Sequence, residues 1–380
     1  MKKYLFSLFL LISVVGFVSA QETILDLKKE KDNSDKAIQD PKKNTKAATW
    51  EKRGQTYAYL ANDRTGIYYN KLDSNALQVS YEAYQKAREL GSKTVDKNLL
   101  EFFYPACFYE GAVNYESKNF SKALRAFEFA QKAAPDSLVP YLYASEIAAN
   151  MKDYDKYVSN MAKSVQFAEG EFQKIQQKRE TFVLNLAVTY ISLQKYDEAE
   201  KLLNQFLTVY PSNTDLRAAQ IEVLIRTNKL EAAITQLQEN IKNNPDNADN
   251  YYNLGVIYEK TNQMEKADEN YRKSVEKNPT SFDANFNLGA LYYNKAAALL
   301  KETNEMSVDQ YKKTGVAKEN EAKANFEKAL PSFEKLAAQN DLPNDKRLKV
   351  LKVLQTIYNA MKRTEDFNRV SKEIDTLEGY

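Results

Sequence analysis

Histidine is absent from the 380 residues, cysteine occurs once (Cys107) and glycine only ten times. Without an imidazole there is no Ser-His-Asp or Cys-His relay, and zinc sites built on His or on paired Cys are excluded as well. A lone cysteine leaves no internal disulfide framework. The glycines, at 16, 54, 66, 91, 111, 170, 255, 289, 315 and 379, never stand close enough for a G-x-G-x-x-G or G-x-x-x-x-G-K phosphate loop. An excess of one charge is also missing. The 54 Lys and Arg face 52 Asp and Glu, and they alternate along the chain instead of forming basic blocks. No nucleic-acid footprint of the usual kind is expected from that pattern.

Long apolar runs are lacking except at the start. Lys2-Lys3 precedes an apolar stretch from Tyr4 to Val18, and Val18-Ser19-Ala20 stands before Gln21. This is the order of a secretory signal peptide over residues 1–20, and it predicts an exported, periplasmic protein, free or associated with the envelope. The stretch is shorter than the ~20 residues a spanning helix needs, so no transmembrane segment is expected in the mature chain. No Cys follows the cleavage site, which argues against a lipid anchor. Removing Lys2 and Lys3 leaves 52 basic against 52 acidic residues, a neutral mature chain. Residues 21–46 are polar, lysine-rich and broken by Pro41, and read as a flexible lead-in with at most a short helical piece near Asp35 to Gln39.

Beyond residue 46 the pattern is helical, with Ala, Leu, Glu, Lys, Tyr and Asn in 3.6-residue periodicity. Pro211, Pro245 and Pro279 are spaced by 34 and 34 residues, each closing a helical stretch. The clearest unit runs from Ala248 to Ser281: it puts Tyr251 at position 4, Leu254-Gly255 at 7 and 8, Tyr258 at 11, Ala267 at 20, Tyr271 at 24, Ser274 at 27 and Pro279 at 32. Gly255 and Ala267 are small where two antiparallel helices would touch, and the large residues fill the space around that contact. The same frame fits residues 180–213, 214–247 and 104–137, and fits 138–171 weakly, with eight extra residues before 180. Two units carry insertions between their helices, near 62–76 and 301–322. The second of these is Ala-, Lys- and Glu-rich on both sides of a polar break at Thr303 to Ser307, which predicts a lengthened helical hairpin with Gly315 as a second weak point.

This pattern resembles the tetratricopeptide repeat, whose motif is W-x2-L-G-x2-Y, A-x3-F and a terminal Pro. The resemblance covers nearly everything after residue 46. It implies an all-α solenoid, a right-handed superhelix of about seven helix pairs with a divergent C-terminal capping pair near Leu348 to Glu378, forming one domain over 47–380. It also implies protein or peptide binding in a concave groove lined by the first helix of each pair. Position 6 is Asn185, Asn253 and Asn287 in three units, interrupted by Ala219. In relatives that hold extended peptides, asparagines at this position bond the peptide backbone, since a carboxamide offers donors and an acceptor; Asn is also simply common there. Phe108, Tyr115, Tyr252, Phe286 and Tyr293 are the aromatics at neighbouring groove positions. The carboxylate clamp of chaperone-tail-binding relatives is not supplied by any consecutive set of positions.

Cys107 falls at a core position with no His to activate it, and reads as inert packing. No cofactor, metal or catalytic residue is expected. The chain reads as a non-catalytic exported scaffold or chaperone. The alternative is a recognition or regulatory subunit of an envelope enzyme or of an outer-membrane assembly or secretion machine.

Overall fold

The computed structural model describes residues 24–62 and 73–379. The expected signal peptide and most of the first insertion lie outside them. Every regular element described is helical: α1 Ile24–Gln39, α2 Ala47–Ala61, α3 Ala76–Glu89, α4 Val95–Asn98, a π-turn Leu99–Phe103, α5 Tyr104–Glu116, α6 Phe120–Ala133, α7 Leu138–Met151, α8 Tyr154–Ser164 and α9 Glu169–Lys174. They continue as α10 Arg179–Ser192, α11 Tyr196–Leu207, α12 Thr214–Arg226, α13 Leu230–Asn243, α14 Ala248–Lys260, α15 Met264–Lys277 and α16 Phe282–Asn304. The last are α17 Val308–Gln310, a π-turn Tyr311–Gly315, α18 Val316–Ala337, α19 Asn344–Ala360 and α20 Thr364–Glu378. The fold is an all-α solenoid of helix pairs. Contacts divide it into two compact units, one through Gln220 and one from Ile221.

Within a pair, one small residue on the first helix receives a large one from the second. A Cβ on Gly54, Gly111, Gly255 or Gly289 would come within 2.8, 2.6, 2.5 and 2.8 Å of Tyr84, Phe127, Tyr271 and Phe333 respectively. Only a bare backbone lets the helices approach that closely over an aromatic face. In the capping pair the same two positions carry Gln355 and Ser371, and a 2.8 Å hydrogen bond from Gln355 Nε2 to Ser371 Oγ takes the place of ring against glycine.

The turn inside a pair is equally regular. Lys118, Lys152, Gln194, Asn228, Asn262 and Lys362 all adopt φ of 57 to 59°. In each case the next N–H reaches back to the carbonyl five residues earlier, as from Asp153 to Ala148 and from Gln263 to Tyr258. This left-handed cap satisfies carbonyls that the helix end leaves open. The weakly patterned stretch 138–171 forms the ordinary pair α7 and α8. The extra residues that follow are packed, with Phe172 of α9 fully buried against Leu138, Leu142 and Phe182.

The flexible lead-in is corrected. Helix α1 spans Ile24–Gln39 and lies against α2. Asp35 accepts from Lys31, Arg53 and Tyr57 at 2.8, 2.5 and 2.8 Å, and Lys52 reaches Glu30 at 3.4 Å. The helix is held by charge and hydrogen bonds more than by an apolar stripe, which is why hydrophobic periodicity misses it. The lengthened hairpin is present as α16 and α18, broken at Glu305 to Ser307 and restarted by a capping box of Ser307 and Gln310. Gly315, with φ −60°, closes the π-turn, and the ring of Tyr311 occupies the space a side chain would need.

Candidate partner-binding surface

In unit 2, α14 and α16 are successive first helices, and they carry Tyr252, Asn253, Phe286, Asn287 and Tyr293, all of the groove residues predicted from sequence on this unit. Tyr252, Asn253, Phe286, Asn287 and Tyr293 are all half-buried. Asn287 donates through Nδ2 to the hydroxyls of Tyr252, at 3.3 Å, and Tyr271, at 3.5 Å. Position 5 of one first helix thus meets position 6 of the next, and both share one face. Tyr271 in turn donates to Glu259 Oε2 at 2.7 Å. Its ring is wholly buried, and burial, then the Glu259 carboxylate, pushes its hydroxyl pKa well up. Burial, then Asp283, also raises that of Tyr252. Asn253 makes no side-chain hydrogen bond among the described residues, so its amide is available to a ligand. Asn287 has its Nδ2 hydrogens engaged by the tyrosines and presents its carbonyl.

The aromatics are less free than their positions suggested. Phe286 stacks on Phe282 with centroids 5.5 Å apart and meets Phe333 edge-on at 5.4 Å. Tyr293 lies 5.8 Å from Phe326. They belong to the packing within the α16–α18 pair and show only part of each ring to solvent.

In unit 1, Asn185 on α10 is half-buried, and its backbone carbonyl accepts from Thr189 Oγ1 at 2.8 Å. Phe108 is packing: it lies edge-on to Phe127 at 5.3 Å and to Tyr143 at 6.0 Å. Tyr115 donates to Glu146 Oε1 at 2.9 Å and accepts from Asn150 at 3.2 Å. Burial, then Glu146, pushes the Tyr115 pKa up to about 12, while burial raises the Glu146 carboxyl. Pairs of tyrosine hydroxyl and carboxylate such as these were not read from the sequence. The signal for one was there, a Glu at position 12 with a Tyr at position 24 of the same unit.

Cys107 is fully buried, and burial pushes its thiol pKa well up, away from the nucleophilic thiolate. Among the described residues no three His, Cys, Asp or Glu side chains group to hold a metal ion, and no helix is long and apolar enough to cross a membrane.

Comparison with known families matches residues 248–281 and 183–213 to "Tetratricopeptide repeat" and residues 222–262 to "TPR repeat". No curated protein matches the chain. Among solved structures, the C-terminal part of a TPR repeat-containing protein from Cytophaga hutchinsonii is 14% identical, with 72% of this chain and 95% of that one covered and a TM-score of 0.45. A tetratricopeptide repeat protein from Parabacteroides merdae is 14% identical over 78% of this chain and 98% of that one, with a TM-score of 0.34. MamA from Desulfovibrio magneticus is 16% identical over 54% and 98%, with a TM-score of 0.40.

Proposed function

The chain is a tetratricopeptide-repeat protein, and from that premise we propose that it is an exported scaffold or chaperone which holds an extended polypeptide on its first-helix faces. Tetratricopeptide repeats imply protein partners, so the coarse function is that of a protein-interaction scaffold. The observation that supports the finer reading is the bond from Asn287 to Tyr252, which joins neighbouring first helices at the residue next to Asn253. One asparagine offers both its donors and its acceptor, the other its acceptor, and an extended backbone presents N–H and C=O groups that match.

Affinity purification from native envelopes identifies the partner. Asn253→Ala with Asn287→Ala then weakens capture by about 1–3 kcal/mol, at roughly 0.5–1.5 kcal/mol per hydrogen bond, and lowers stability only by what the Asn287 bonds to Tyr252 and Tyr271 contribute. Asn185→Ala tests the corresponding face of unit 1. Undiminished capture by folded variants returns these asparagines to packing. Export is tested by intact mass, with Gln21 expected as the first residue.

A further inference from the structure

We propose that the ridge formed by Lys346 and Lys349 over Phe282 and Phe286 in unit 2 receives a stretch of the partner polypeptide that combines carboxylates with aromatic side chains. This deepens the groove reading and rests on it. Several lysines of unit 2 are paired with carboxylates: Lys273 with Glu269, Lys277 with Asp246, Lys295 with Glu321, Lys352 with Glu378. Lys346 and Lys349 have no carboxylate within 4.0 Å among the described residues. Their ammonium groups sit instead on ring faces, 4.5 Å from the centroid of Phe282 and 4.1 Å from that of Phe286.

A lysine held over a ring directs part of its ammonium at the ring face and keeps at least one N–H donor for a carboxylate. The hydrogen bond then formed is charge-assisted. The Phe282 and Phe286 rings, stacked and half-buried, offer an apolar surface beside the two charges, continuous with Asn287 at the next residue. A narrow strand of protein fits this ridge better than an anionic membrane. Exposed Asp283 and Asp345 flank it in sequence and would face a sheet of phosphates with like charge.

The test uses the full mature chain at physiological salt with three labelled peptides of equal length: alternating Glu and Phe with Ser spacers, the same with Lys for Glu, and the same with Ser for Phe. The Glu/Phe peptide is expected to bind about tenfold tighter than either control. Lys346→Glu with Lys349→Glu, the first half-buried and the second exposed, is expected to turn the preference toward the Lys/Phe peptide. Binding that is indifferent to peptide charge, or unchanged in the double variant, overturns the ridge alone. Equal binding of the peptide lacking Phe overturns the aromatic half of the match. Binding to phosphatidylglycerol vesicles in place of the peptides overturns the choice of a protein segment. No peptide binding at all overturns the groove reading and this one with it.

Discussion

Tyr84 and Tyr271 fill the same place in two helix pairs, each ring against a glycine, but their hydroxyls meet opposite surroundings. Tyr271 donates to Glu259, whereas the equivalent of Glu259 in the first pair is Ala58, and the Tyr84 hydroxyl is buried with no partner among the described residues. Folding strips water from both and repays only one. Tyr84→Phe is therefore expected to be neutral or to stabilise by about 1 kcal/mol, and Tyr271→Phe to destabilise by about 1–2 kcal/mol, measured by chemical denaturation. Asp35 supplies a pH dependence. Burial alone would raise its pKa, but hydrogen bonds from Lys31, Arg53 and Tyr57 outweigh it and hold the carboxyl at about 2. A folded pKa below the unfolded one adds stability that is present above the unfolded value, near 3.8, and is lost as pH falls toward 2. Detachment of α1, followed by proteolysis within residues 24–46, is expected to begin below about pH 4 in the parent. In Asp35→Asn the attachment of α1 should already be weaker at neutral pH, and cleavage should be flat across that range.

At the scale of elements, the left-handed turns allow a second comparison. Asn tolerates this conformation, and Lys does so at a cost of about 1 kcal/mol relative to Gly. Lys152→Gly in the α7–α8 turn should raise stability by about 0.5–1 kcal/mol, while Asn262→Gly in the α14–α15 turn should change it little. A melting series that treats the two alike would count against a conformational cost at Lys152. These turns recur at position 15 and were not noticed in the sequence, because Lys, Gln and Asn carry no turn signal of the strength of Gly. The pairing of small with large residues was legible in the clearest unit, where Gly255 and Ala267 stand small among Tyr251, Leu254, Tyr258 and Tyr271. The fold class followed from that. Helix α1 was not legible, because Lys31, Asp35 and Arg53 stabilise it through partners on another element. The candidate surface was legible as positions, not as bonds: Asn287 was placed correctly on a first helix, but its attachment to Tyr252 and Tyr271 depends on how two pairs stack.

Across the whole molecule, each helix packs mainly on its neighbours in sequence, so the loss of an end should be felt locally. The capping pair α19 and α20 covers one apolar cluster of unit 2. Val350, Leu351, Leu354, Ile357 and Tyr358 pack with Phe326, Leu330, Phe333 and Leu336, and Phe282 and Phe286 join from the side. Tyr358 also donates to Glu334 at 2.8 Å, and Arg347 bonds the carbonyl of Ala337 at 3.1 Å, fastening the cap to the end of α18. Truncation before Asn344 would uncover these side chains, each costing about 1.5–3 kcal/mol when moved from a buried to an exposed position. The truncated chain is expected to aggregate or self-associate through α16 and α18, and to lose hydrogen-exchange protection there first. The α6–α8 region of unit 1, with its own cluster of Leu124, Phe127, Tyr143 and Ile147, should keep the protection it has in the full chain. Exchange mass spectrometry reads both regions in one experiment. Uniform loss of protection would mean that the units unfold as one cooperative body; loss confined to residues 282–337 is what a nearest-neighbour array requires.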